Sequence, residues 1–383
     1  MKAYKAFNAD LTCRGFQYEI GKTYTMDEKP VPCERGFHAC ENLNDVFYYY
    51  SPINKIRICE VELDGTIIKD SLYDDKYVSN KITIVKEIDY NSIFNIHSND
   101  IFEQMIATWY ADVEDLSKFL YRGNKGIRTI ITKRGFDKHL DVLVKDNDTD
   151  IRYEVAKHSR PQDLDILVHD DDYNIRHIVA EQGRDKDLDV LVTDTNYFVR
   201  YIVAKQGRDK DLDILVNDPN SDVREMVAKI GRSKDLDVLV NDKSLYVRHE
   251  VAKHGRPQDL DILINDEYDY VLEAVAHQSR DKDLDILVKD PRYIVRCAVA
   301  AQGRDKDLDI LVKDPDTEVR ITVTEQGRDK DLDILINDPY EIVRIKVAEQ
   351  GRPQDLKILI HDKSSEVRHI VKTYYDTTLL SDI

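Results

Sequence analysis

Four cysteines and a histidine in the first sixty residues, Cys13, Cys33, Cys40, Cys59 and His38, are the side chains best suited to metal binding or nucleophilic chemistry. Their spacing argues against zinc. Structural zinc sites usually contain a short Cys-x₂₋₄-Cys pair, and the intervals here are 20, 7 and 19. Core cysteines are the expectation, and an odd total of five Cys does not suggest a secreted disulfide framework. No Gly-rich phosphate loop, Gly-x-Ser-x-Gly or His-Glu-x-x-His occurs. No catalytic residue, metal or cofactor is therefore assigned, and the reading leans away from an enzyme.

The strongest charged pattern is periodic. Arg152, Arg176, Arg200, Arg224, Arg248, Arg296, Arg320, Arg344 and Arg368 recur at a step of 24, with Leu272 in the one gap and Arg128 extending the column backwards. An Asp column from Asp146 to Asp362 keeps the same step, each Asp six residues before the Arg position. Caps and paired charges are what helix termini need, so an Asp–Arg ladder inside the architecture is expected. A second basic column, Arg160, Arg184, Arg208 and onward to Arg352, is interleaved with Asp187, Asp211, Asp235 and their equivalents. It reads as a solvated, self-neutralising edge, too mixed for a nucleic-acid groove.

A fixed period of this length marks a stacked-repeat protein. In the copy from Asp218 to Asp242, Asp218 is expected as an N-cap and Pro219 at the first helical position. A helix with Val223, Val227 and Ala228 on one face follows, and Gly231 ends it with positive φ. Ser159 and Ser279 replace that glycine in two copies. A shorter helix begins at Ser233, or at Asp185 or Pro161 in sister copies, and buries Leu236, Leu239 and Val240. The chain is thus expected to be mostly α, with three parts. Residues 1–90 form a small α+β domain, 91–133 a linker with degenerate capping repeats, and 134–383 about ten two-helix repeats. Within the first part, Lys55–Leu63 reads as a strand ending at an Asp64-Gly65 turn, and 41–50 as a short helix capped by Asn42 or Asn44.

The pattern Asp-Pro…Val-Arg-x-x-Val-Ala…Leu-x-x-Leu-x-x-Asp over residues 100–375 closely resembles the leucine-rich repeat variant. That resemblance implies a right-handed, HEAT-like superhelical solenoid of alternating α and 3₁₀ helices. Its iron–sulfur cluster is not carried over, because the cysteine spacing departs from a compact cluster motif. Tyr4–Asn8, Leu11–Phe16, Gly21–Tyr24 and Gly36–Cys40 resemble an uncharacterised domain of bacterial and phage proteins. Interference with a host system is the setting that resemblance implies. Gly36-Phe37-His38-Ala39, the segment reaching Tyr48-Tyr49, and Ile58–Gly65 are also similar in order to the NAD-site elements of the ADP-ribosyltransferase fold. No Glu stands near Lys76–Val78, where that family's catalytic residue would fall.

The net charge is −18, of which −15 falls in residues 134–383. A positive footprint for nucleic acid is missing, and no run of 18 apolar residues suggests a membrane span. A cytoplasmic location is the default. Information about function should lie where the repeats disagree. The residue after the repeated Arg and the residue three before it vary, and both are rich in Tyr and His. Tyr is favoured at interfaces. Tyr173, His177, Tyr197, Tyr201, His249 and Tyr293 are accordingly the expected contacts to a protein partner, with Tyr173, His177, Tyr197 and Tyr201 in one patch. The leading reading is a non-enzymatic protein-binding scaffold. The alternative is an N-terminal domain that binds NAD or a related nucleotide through Tyr4, His38 and Tyr48, with the solenoid selecting the target.

Overall fold

A computed structural model describes residues 1–50, 55–70, 76–89, 98–120 and 123–380. The chain divides into two compact units, Met1–Asp187 and Leu188–Ile383.

The first unit begins with seven strands: β1 (Lys2–Asn8), β2 (Thr12–Cys13), β3 (Phe16–Gln17), β4 (Thr23–Thr25), β5 (Phe37–Cys40), β6 (Ile56–Lys69) and β7 (Lys76–Glu87). All named pairings are antiparallel. β1 pairs β6 from Lys2↔Glu62 to Asn8↔Ile56, β6 pairs β7, β7 pairs β5, and β5 returns to β1 at Tyr4↔Cys40. The four strands therefore close into a ring. Its interior is filled by Phe7, Val61, Leu63, Ile82 and Ile84. A second cluster joins Ala6, Ile58 and Ile88 to Ile106 and Ala107 of the helix Ile101–Tyr110.

Asp64-Gly65 is not a turn. β6 runs through it to Lys69, with Gly65 at φ +71° in an irregularity of the β6–β7 ladder, because Asn80 Oδ1 accepts the Thr66 N–H at 2.8 Å and holds the strand in the sheet. The 41–50 segment forms only a 3₁₀ turn, Asn44–Tyr48, after Leu43 and with no side-chain cap; Asn42 instead bonds Asp45.

From Lys125 onward the chain alternates long and short helices at the 24-residue step. The copy at 220–240 is representative. The long helix Ser221–Ile230 buries Val223, Val227 and Ala228 completely, and Gly231 closes it at φ +80°. Ser159 and Ser279 take the same left-handed conformation, both at φ +56°. The short helix Ser233–Leu239 buries Leu236 and Leu239, with Val240 just beyond it. Contrary to the 3₁₀ form implied by the family resemblance, this element is α: Val240 N–H donates to Leu236 O, four residues back. The N-cap of the long helix also differs from expectation. It is Asn220, whose side chain accepts the Asp222 N–H at 2.8 Å; Asp218 and Pro219 lie outside the helix. Asp218 sits in the turn that leaves the preceding short helix and accepts the Asn220 N–H at 2.9 Å. The architecture is a helical solenoid of two-helix repeats, preceded by a small strand-rich domain.

Candidate functional site

Both repeated charge columns are consumed by the fold. Arg224 grips Asp242 of the next repeat with two parallel bonds, Nε to Oδ2 at 2.6 Å and Nη2 to Oδ1 at 2.9 Å. Its Nη1 donates to Asp218 O at 2.7 Å. The side chains are 6% and 8% exposed, so this is a buried, bidentate and fully bonded pair. The ladder thus exists, but each Asp partners the Arg eighteen residues before it rather than capping its own helix. Leu272 would leave Asp290 without a guanidinium. Arg292 supplies one locally, with Nε to Oδ1 at 2.8 Å and Nη2 to Oδ2 at 2.7 Å.

The second column is self-neutralising but not solvated on its Asp side. Arg232 bonds Asp235 at 2.6 and 2.8 Å and reaches back to Asp209 and Asp213. Asp211 and Asp235 are 1% and 2% exposed. They face their Arg at the start of a short helix, where negative charge is favoured. In the equivalent Arg328, hydrogen bonds to the Asp331 carboxylate lead in raising the guanidinium above its usual range, against burial.

The variable positions lie elsewhere, on the long helices. Tyr197 and Tyr201, on helix Tyr197–Gln206, line a groove of about 300 Å³ with Phe198; Asp222, Glu225, Met226 and Lys229 of the next long helix form the other wall. Phe198 lies parallel to Tyr201 with ring centroids 6.2 Å apart. Glu225 is half-buried, and burial first, then Glu250 and Asp222, raise its carboxyl pKa. Further along, the His249 ring stacks on Tyr270 at 3.9 Å, and Tyr246 meets the same ring edge-on at 6.1 Å. Tyr293 is exposed beside Arg292, Pro315 and Asp316. Tyr173 is exposed and His177 half-buried on helix Tyr173–Glu181 of the first unit, whereas Tyr197 and Tyr201 belong to the second. Sequence reading missed Phe198, Tyr246 and Tyr270, which sit one residue off the two variable columns followed; helical neighbours of a variable column would have been the signal.

In the N-terminal domain, Tyr4 and His38 line one cleft of about 760 Å³. The side chain of Tyr48 lies outside the described residues. His38 is already committed: its Nε2 accepts the Cys33 N–H at 3.0 Å. Burial, then Lys76, Lys5 and Arg14, push its pKa down to about 4. Lys5, Arg14 and Lys76, which the sequence reading passed over, line the same cleft. The cysteines divide. Cys40 and Cys59 are core residues, but Cys13 is half-buried in the cleft wall and Cys33 is exposed at φ +63°, bonded to Asp70 and Lys76. Cys33 falls outside the core because its backbone makes the left-handed turn that leads into β5. Among the described residues, no group of three or more His, Cys, Asp or Glu is arranged to hold a metal ion.

Residues 1–96 match a family described as a domain of unknown function (DUF7666). No curated protein matches the chain in sequence. Among solved structures, a leucine-rich repeat variant with a novel repetitive structural motif is 26% identical, covering 54% of this chain and 88% of its own, at a TM-score of 0.48. The Escherichia coli protein YibA is 17% identical over 54% of this chain and 98% of its own, at a TM-score of 0.33. A designed armadillo repeat protein in complex with the peptide (KR)4 is 16% identical over 73% and 95%, at a TM-score of 0.10. These superpositions are loose, and the repeat fold rests on the helix pattern of this chain itself. None of them carries the ADP-ribosyltransferase resemblance of residues 36–65.

Proposed function

We propose that the chain is a non-enzymatic scaffold whose long-helix face binds a protein partner, and that the groove at Tyr197–Lys229 takes a basic side chain of that partner. One observation carries the reading: Glu225 is a half-buried carboxylate with no ion pair or side-chain hydrogen bond among the described residues, in a groove it shares with three aromatic rings, one further acid, Asp222, and one base, Lys229. The repeated charges elsewhere are paired within the fold, so Glu225 stands apart. A Lys or Arg entering the groove would meet a carboxylate and ring faces together, which suits a cation. Exposed Tyr246, Tyr270 and Tyr293 of the second unit would extend the contact along the array, in the way aromatic residues anchor interfaces.

The test is binding of the full chain to arrayed peptides of basic, neutral and acidic composition. Basic peptides are expected to be retained selectively. Glu225→Gln and Phe198→Ala are each expected to weaken retention about tenfold, the equivalent of about 1.4 kcal/mol. Retention unchanged in both variants would refute the groove, and indifference to peptide charge would refute the class of partner.

A further inference from the structure

β1 carries a lysine where its pattern calls for an apolar residue. Side chains alternate along a strand, and Ala3 and Phe7 both face the ring interior at 0% exposure. Lys5 lies between them in the same alternation and is 6% exposed. Its ammonium donates to His38 O at 2.9 Å, and its other polar neighbours are the thiols of Cys13 and Cys40. Among the described residues no carboxylate pairs with it. Burial lowers the Lys5 pKa, as it does for any buried amine without a counter-charge, and a bound anion would hold the amine in its charged form.

The surroundings of Lys5 are those of a ligand cleft. Arg14 stands at the rim in a left-handed conformation, φ +50°, and makes no ion pair among the described residues. Lys76 enters from the first position of β7, its ammonium 4.7 Å from the Tyr49 ring centroid. Among the described residues Glu34 is the one acid on the lining, and Arg35 is engaged by Glu28 at 2.6 Å. Aromatic rings make up much of the wall: Phe16, Tyr18 and Tyr24 meet edge to face, with centroids 4.8 to 5.5 Å apart, and Tyr50 closes against Cys13 at 3.3 Å. His38 stays neutral down to about pH 4 and adds no charge. Among the described lining residues, Lys5, Arg14 and Lys76, with Arg35 already held by Glu28, outnumber the single acid Glu34, in a protein of net charge −18. The volume of about 760 Å³ is in the range of small-molecule sites.

We infer that this cleft binds a small aromatic phosphate, with Lys5, Arg14 and Lys76 on the phosphate and the Tyr and Phe wall on the ring. A dianion suits three cations better than a monocarboxylate does, and edge-to-face aromatic clusters accept a planar ring. The site is separate from the long-helix groove, so either can fail alone.

The experiment is calorimetric titration of the full chain with adenosine 5′-monophosphate and phenyl phosphate, and with adenosine and inorganic phosphate as half-ligands. At least one aromatic phosphate is expected to bind, and at least tenfold more tightly than either half-ligand. Lys5→Met, which keeps the length and apolar stem, is expected to weaken it more than tenfold. Arg14→Ala, at an exposed position that no core contact depends on, is expected to weaken it about threefold and guards against misfolding of the first variant. No binding of either aromatic phosphate, equal binding of inorganic phosphate alone, or unchanged binding in both variants would overturn the assignment.

Discussion

At the scale of single residues, backbone conformation and protonation give the sharpest expectations. Gly207 and Gly231 occupy equivalent helix ends at φ +76° and +80°, yet their surroundings differ. A Cβ on Gly207 would meet nothing within 4 Å, whereas on Gly231 it would run into the His254 ring, whose Nε2 lies 2.8 Å from Ala228 O. Gly207→Ala should therefore cost only the left-handed strain, about 1–2 kcal/mol, and Gly231→Ala clearly more; paired chemical denaturation curves measure both. Ser159→Gly runs the other way and should stabilise by about 0.5 kcal/mol, since Ser159 already sits at φ +56° and gains only a 3.4 Å bond to Lys157 O. His38 makes a pH prediction. Its folded pKa, about 4, lies below the ordinary histidine value of 6.5, so the unfolded chain binds more protons between these limits. Its contribution to stability is then complete above pH 6.5 and is lost as the pH falls towards 4. Protection factors across Phe37–Cys40, which remove the intrinsic slowing of amide exchange as pH falls, should drop over that window, and His38→Asn should flatten the dependence.

At the scale of elements, an Arg–Asp pair such as Arg224–Asp242 ties one repeat to the next. Arg224→Met removes a guanidinium from Asp242 and leaves a buried carboxylate alone, a loss of about 3–5 kcal/mol. Because neighbours carry the stability of a repeat array, the loss should appear as local opening around 218–247. Adding Asp242→Asn should restore part of it, since Asn can still accept the Ser244 N–H that Asp242 holds at 2.8 Å. Thermal unfolding of the three proteins reads this directly. Arg292→Ala tests the local substitute: it should behave like a lost ladder pair at Asp290, because Leu272 offers no guanidinium there. The helices themselves were legible in the sequence. Val223, Val227, Ala228, Leu236 and Leu239 were placed inside, and the glycine column at the helix ends, because a side chain's period and a left-handed residue leave a direct mark on residue type. The capping residue was misplaced by two, from Asp218 to Asn220, because Asp and Asn are equally good caps and only the partner eighteen residues away shows that Asp218 is occupied.

At the scale of the whole molecule, charge alone does not describe the surface. The chain is strongly acidic, yet its repeated acids and bases largely answer each other, and two groups without an ion pair among the described residues lie in clefts lined by aromatic rings: the Glu225 carboxyl and the Lys5 amine. Neither was visible as a site in the sequence. Glu225 appeared there only as one member of a variable column, and Lys5 as one of many lysines; both become distinctive through burial, which depends on residues far away in the chain. Tyr197 and Tyr201 stand out in the sequence because variation between internal copies isolates the positions that packing does not dictate, and both line the wall of one groove. Among the described residues no helix is long and apolar enough to cross a membrane. Recognition is proposed to belong to the long-helix face, with the repeated charges serving the architecture. Hydrogen–deuterium exchange of the full chain, with and without a basic peptide retained on the array, tests it most directly. Protection concentrated in Tyr197–Gln206 and Ser221–Ile230 is the predicted result; protection confined to the short helices and their Arg–Asp–Lys edge would contradict it.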